Sequence, residues 1–376
     1  MASVVGIIFS NIHDHNVSEL TRRRTMASVP FGCRYRLIDF TLSNIVNSGI
    51  THVGVVTHYN YQSLMDHIGT GKDWDLARRS GGIKILPPYI TAFANAQNSL
   101  YNTRLEAVKS MLEFVSCCTE EYVLLSDCDV ICNIDLNEII NDHINSGADI
   151  TMAVKRMYIT PDVRNFEVVE SNSDGRITDI SECNGIVSGY CDVNLNIMVM
   201  RRKYLENIIL DASAHGYSSF TKDVIGRNID ISSFRVYRYD SYFASINSLA
   251  DYYMCNMDLL SSSARDSLFN VKNRPIYTKI RNSSPTVYEE GSNVRNSLIA
   301  DGCIIHGTVE NSILFRGVKV GKNTVIRNSI IMQDTLIGEN ASLNCVITDK
   351  DVVIRDGRTL SGHETRPFFI DKLTVV

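Results

Sequence analysis

The last quarter of the chain repeats itself. From Val287 onward, short aliphatic pairs recur between Gly, Asn and Asp: Leu298-Ile299, Ile304-Ile305, Ile313-Leu314, Val325-Ile326, Ile330-Ile331 and Leu336-Ile337. Val325, Ile331, Ile337 and Leu343 stand six residues apart, and Val320, Ile326 and Met332 form a parallel row with the same step. A half-buried strand alternates with period two and a helix with period 3.6. A six-residue step with aliphatic anchors instead specifies a parallel β-helix, each coil a triangle of short strands stacked on the next. Such a stack presents open edges and flat faces, which commonly make subunit contacts.

At 376 residues the chain is too long for one compact core, and two domains are expected. Val4–Phe9 is a short apolar run, ended too abruptly for a signal peptide or a membrane span, and reads as a buried first strand. Further strand patterns cover Thr51–Thr57, Gly81–Pro88, Tyr122–Leu125, Ile150–Val154 and Val193–Met200. Helical patterns cover Phe40–Asn47 and Tyr61–Ile68. A hairpin runs from Glu167 to Ile180 about an Asp174-Gly175 turn. Alternating strands and helices imply a parallel sheet with helices on both faces, binding ligands at its C-terminal strand ends. The polar loop Ser10–Asn16 falls there. The expected division is an α/β domain over 1–262, a linker over 263–286 and the β-helix over 287–376.

With 44% hydrophobic and 21% charged residues and a net charge of -5, composition argues for a soluble globular protein without a nucleic-acid bias or a membrane segment. The ten cysteines are scattered, several (Cys128, Cys132, Cys345) inside apolar runs. Cys117-Cys118 are adjacent and cannot easily bridge, and without a C-x-x-C pair zinc is not expected. Buried free thiols in a reducing cytoplasm are the expectation.

Several motifs carry a resemblance. Leu20-Thr21, Arg22 to Arg24, Val29-Pro30-Phe31-Gly32, Arg36-Leu37-Ile38-Asp39-Phe40 and Leu42-Ser43-Asn44 follow one another, and Asn256-Met257-Asp258-Leu259-Leu260 stands far downstream. With the terminal repeat, this series resembles the sugar-nucleotide pyrophosphorylases over essentially the whole chain. Within them it is most similar to bacterial glucose-1-phosphate adenylyltransferase. The resemblance implies a Rossmann-like nucleotidyltransferase domain followed by a left-handed β-helix. It also implies synthesis of ADP-glucose and pyrophosphate from ATP and glucose 1-phosphate, with Mg²⁺ held by carboxylates.

Against that resemblance, the chemical positions depart together. The glycine-rich phosphate loop, Gly-Gly-Arg-Gly, is Asn11, Ile12, His13 and Asp14, and the second loop arginine is Asn16. Glycines let backbone N–H groups approach a triphosphate; here side chains stand in the way and Asp14 adds negative charge. A loop lysine is Met26 and a proline Ala27. The base-holding Gly-Thr-Ala-Asp is Thr103, Arg104, Leu105 and Glu106. In the first metal motif Cys128 replaces Gly, although Asp129 keeps the metal aspartate; an Asp after a strand also serves as a turn or helix cap. The second metal aspartate is Ser245, a neutral and poor ligand for a hard dication. On the sugar side Glu182, Asn194, Lys222 and Asp223 remain as sugar-phosphate candidates, with Cys183 at a lysine position.

Losing chemistry at five separated places while keeping the scaffold motifs describes a subunit that assembles without catalysing. The family includes such a D-type subunit, paired with a catalytic C-type subunit. The resemblance therefore implies a hetero-oligomer, a tetramer, in which this chain modulates a catalytic partner. It carries no metal or cofactor of its own, Mg²⁺ serving the partner. Arg23, Arg24, Arg36 and Arg366 match arginines that bind phosphate-type effectors in the family, and guanidiniums suit phosphate oxygens; a solvated basic face or a partner contact is the alternative. Two other readings remain: a weakly active nucleotidyltransferase using Asp129, and a hexapeptide acyltransferase relying on His306 or His363.

Overall fold

A computed structural model describes residues 2–87, 101–159, 164–184 and 188–376. Pro88, expected to end a strand, lies outside them. Val4–Phe9 is buried at all six positions because it is sandwiched between two parallel neighbours, His52–Val56 and Tyr122–Asp127. From one edge the main sheet runs Gly82–Leu86, His52–Val56, Val4–Phe9, Tyr122–Asp127, Gly189–Arg201, Ile150–Ile159 and Phe234–Arg238. Gly189–Arg201 is antiparallel to both its neighbours, whereas the first four strands are parallel and Phe234–Arg238 is parallel to Ile150–Ile159. The register sets Phe9 beside Asp127 and Val56, so the loop after the first strand and the end of Tyr122–Asp127 share one sheet edge.

The Asp174-Gly175 hairpin pairs Arg164–Ser171 with Ile177–Asn184, and Gly175 takes the left-handed φ of +81° that the turn needs. The helix expected from Phe40 begins earlier, at Leu37, because the Asp39 carboxylate accepts from the Arg36 N–H at 3.0 Å and caps it.

The terminal domain is the expected β-helix, left-handed and made of three five-stranded parallel sheets of two- and three-residue strands. Stacked partners such as Lys319, Leu336 and Val353 are seventeen residues apart, not the eighteen of three full hexapeptides. One side of the triangle is a residue short, which shifts the inward row. Val320, Ile326, Ile331, Ile337 and Leu343 are buried, while Val325 is only half-buried. Corners fall on Asn296, Asn311 and Asn328, all with positive φ, a conformation Asn tolerates. Their amides ladder between coils, Asn296 to Asn311 at 2.8 Å.

One face of the β-helix packs against the α/β domain. Ile313, Ile330, Met332 and Ile347 join that domain's apolar core rather than the coil interior. Burying four such side chains is worth roughly 1.5–3 kcal/mol each. Beside them the Arg24 guanidinium meets both oxygens of Asp349 at 2.8 Å. Residues 263–286, read as a linker, open with the helix Ser262–Phe269, and Phe269 stacks on Tyr35 with ring centroids 5.0 Å apart. The strap that follows is tied down by Asn133, which donates to the carbonyls of Leu268 and Arg274, and by Ser43, which accepts from the Tyr277 N–H. Among the described residues no disulfide forms, and no helix is long and apolar enough to cross a membrane.

Candidate functional site

A polar cavity of about 290 Å³ opens at the C-terminal edge of the main sheet, lined in part by His13, Arg104, Glu182, Asn194 and Ser245. Its floor is the loop after the first strand. That loop is closed on itself: Asp14 Oδ1 accepts from the Met26 N–H at 2.6 Å, and the Thr21 hydroxyl donates to the Asp14 and Val17 carbonyls. Asn11 is buried, with the Tyr101 hydroxyl donating to its side chain at 3.3 Å. Burial pushes the Asp14 carboxyl up to about 7, although the Met26 N–H and His13 oppose it.

Three separated segments converge behind this loop. Thr103 caps the helix Arg104–Lys109 by accepting from the Glu106 N–H, which fixes Arg104 in the first turn. The Arg104 guanidinium then forks onto Asp127, Nη2 to Oδ2 at 2.6 Å and Nε to Oδ1 at 3.2 Å. His13 Nε2 reaches the same Oδ2 at 2.9 Å and lies 3.9 Å from Asp129. Asp127 and Asp129 are both almost wholly buried. Burial works against the Asp127 carboxylate, yet Arg104 and His13 together hold it below the usual carboxylate range. Burial likewise opposes a charged His13, but Asp129 and Asp127 outweigh it and raise the imidazole to about 9. Asp129 is pushed up, chiefly by burial.

Asp129 is not a helix cap. The next helix, Leu136–Ser146, is capped by Asp135, and Asp129 Oδ1 is buried without a partner. Donor atoms of His13, Asp127 and Asp129 lie within 4.8 Å of one another, a spacing that suits a metal. The chemistry does not. Both Asp127 oxygens are taken by Arg104, and across the cavity Ser245 offers only a hydroxyl that accepts from the Asn247 amide at 3.3 Å. The residues present do not fit Mg²⁺, which asks for several oxygens in near-octahedral order. At the opposite edge His52, Cys118 and Glu120 also converge, but His52 is engaged by Glu120 at 2.9 Å and the Cys118 thiol by the Phe114 carbonyl.

The sugar-phosphate candidates separate into two groups. Glu182 and Asn194 line the cavity, and Lys222 sits 3.5 Å from Glu182. Asp223 instead accepts from the Ser218 and Ser219 N–H groups, which hold its pKa down and turn it to the local loop. Glu167, expected only as a hairpin residue, is central: it accepts from the Asn194 amide at 2.6 Å and from the Thr221 hydroxyl. Its position was available, since pairing about Asp174-Gly175 sets Glu167 opposite Glu182.

The effector candidates also divide. Arg36 lines a small cleft between the domains with Arg34, Lys279, Arg281, Arg316 and Lys350, and donates to the Ser63 carbonyl at 2.6 Å. Arg24 is buried against Asp349 beside it, with Nη1 left without a partner. Burial and the neighbouring Arg36 and Arg24 charges push Lys350 down to about 7. Arg23 and Arg366 are exposed and do not line the cleft. Of the acyltransferase candidates, His363 is held by its neighbour Thr365 and His306 is half-buried in the β-helix.

Two family models and three relatives match the chain. Residues 15–183 match a nucleotidyl transferase family model and residues 284–366 a GlmU-like C-terminal hexapeptide model. The chain is 34% identical over 370 residues to glycogen biosynthesis protein GlgD of Bacillus subtilis (strain 168), covering 98% of this chain and 96% of that one. It is 35% identical over 331 residues to glucose-1-phosphate adenylyltransferase of Thermotoga maritima, covering 87% and 77% respectively. The chain belongs to the glucose-1-phosphate adenylyltransferase family. Against other adenylyltransferases the similarity persists, as with that of Thermosipho africanus at 33% over 329 residues, 87% of this chain and 78% of the relative. Membership fixes the scaffold described above; the substituted cleft is a property of this chain's own residues.

Proposed function

We propose that this chain is a catalytically deficient subunit of glucose-1-phosphate adenylyltransferase in cytoplasmic glycogen biosynthesis. It pairs with a catalytic chain in a hetero-oligomer, a tetramer, and modulates that chain's conversion of ATP and glucose 1-phosphate to ADP-glucose and pyrophosphate. The observation that carries this reading is the closed loop. Asp14 takes the Met26 N–H internally, so a backbone donor of the loop that a triphosphate would need is already satisfied. The near full-length similarity to a glycogen biosynthesis protein supports the pathway.

Glu182, Asn194 and Lys222 keep the sugar-phosphate side of the cavity. The basic cleft around Arg36 and Lys350 is the effector site in this reading and takes a phosphate or a sugar phosphate, because crowded, partly buried cations gain most from a polyanion. The unpartnered Asp129 Oδ1 favours the second reading, a weakly active nucleotidyltransferase on its own. Calorimetric titration of the purified chain with ATP and Mg²⁺ separates them. The subunit reading expects no heat of binding at millimolar ATP; saturable binding abolished by Asp129→Asn would favour the enzyme.

A further inference from the structure

We propose that Arg104, with His13 beside it, takes the place of a divalent cation in this cleft, so that the chain excludes metal from it. The inference deepens the non-catalytic reading, but its test reads metal occupancy and can fail separately from any activity.

The charge balance is the first argument. Asp127 and Asp129 are 1% exposed each, and two buried carboxylates need compensation. The Arg104 guanidinium meets Asp127 at 2.6 Å, and the His13 ring lies 2.9 Å from Asp127 and 3.9 Å from Asp129. A dication added there would crowd two further positive charges against a buried guanidinium.

Geometry is the second argument. A metal would have to displace the guanidinium from the oxygens it holds. The fork binds both Asp127 oxygens at once, the arrangement in which Arg–carboxylate pairs are strongest. That leaves Asp129 as the one carboxylate of the pair outside the fork, a single ligand residue for an ion that gives up its water reluctantly.

Placement is the third. His13 comes from the loop after the first strand, Arg104 from a helix start and Asp127 from a strand end. His13 and Arg104 both stand where the sequence parts from the motifs it resembles. One network unites these two departures: an internal cation replaces an external one.

Mn²⁺ titration of the full-length chain, read by electron paramagnetic resonance, tests this. Wild type is expected to bind no Mn²⁺ in the cleft at millimolar concentration. Arg104→Gln is expected to bind one Mn²⁺ per chain, at least tenfold tighter, and to lose it again when Asp129→Asn is added. Where Arg104→Gln is unfolded without metal, recovery of its circular dichroism on adding Mn²⁺ reads the same exchange. A wild-type site that Asp129→Asn removes would overturn the proposal. So would a folded Arg104→Gln chain that binds no metal, or an unfolded one that Mn²⁺ does not restore.

Discussion

Arg104 and Asp127 grip each other through two hydrogen bonds, 2.6 and 3.2 Å long, with both side chains buried. The pair joins a helix start to the end of a central strand and borders the polar cavity. It sets a buried ion network against the wall of that cavity. Removing one partner from such a pair costs more than the pair contributes, because the other charge is left uncompensated. Asp127→Asn should therefore lower stability by about 3–5 kcal/mol in urea unfolding. A change below about 1 kcal/mol, the range of an exposed pair, would show that solvent reaches Arg104 freely.

Arg24 and Asp349 make the corresponding contact between domains. Arg24→Met should cost about 3–5 kcal/mol, because it leaves Asp349 buried alone. The double variant Arg24→Met/Asp349→Leu should recover much of that loss. Equal destabilisation by the single and double variants would mean that the interface depends on the ion pair itself rather than on the apolar face around Ile330 and Ile347.

Asp14 gives a pH dependence of defined sign. Its folded pKa of about 7 lies above the ordinary 3.8. The stability linked to its protonation is present below 3.8 and is lost as pH rises through about 7. Asp14→Asn keeps an oxygen for the Met26 N–H and removes that loss. The variant should gain on wild type as pH rises from 4 to 8, by about 1–2 kcal/mol after allowance for solvent screening. Unfolding free energies of both proteins across this range check it, and a constant difference would contradict it.

Lys350 sets the pH response of the interdomain cleft. Held down to about 7, it is charged below that pH and largely neutral above it. An anion binds the charged form, so affinity should fall as pH rises through about 7, by at most about tenfold per unit. Sulfate is the suitable probe because it does not itself titrate there. Burial keeps the neighbouring His67 pKa below its ordinary value, so it contributes little above pH 7. Calorimetry with sulfate should show this slope in wild type and its absence in Lys350→Met.

What the sequence disclosed follows from how local each signal is. The aliphatic step announced the β-helix because stacked coils repeat one demand, although coils of seventeen residues break the six-residue rows, so that Ile326 is buried and Val325 only half-buried. The kept motifs proved to hold backbone to backbone. Asn256 accepts from the Gly32 N–H, and Asn44 donates to the Cys132 carbonyl and accepts from the Ile134 N–H. The His13–Asp127–Arg104 network was not legible, because its members lie up to 114 residues apart and an arginine in a helix's first turn ordinarily faces water. Asp223 matched a motif in sequence, yet two neighbouring N–H groups claim it, a contact visible only once the loop is folded.

In the proposed role this chain tunes a synthesis that it does not perform. The most direct measurement is Mg²⁺-dependent formation of ADP-glucose by the purified chain alone, and then mixed with a catalytic adenylyltransferase chain from the same genome. The account predicts no turnover alone and a changed rate or substrate affinity in the mixture. Substantial turnover by the chain alone, abolished by Asp129→Ala, would contradict it.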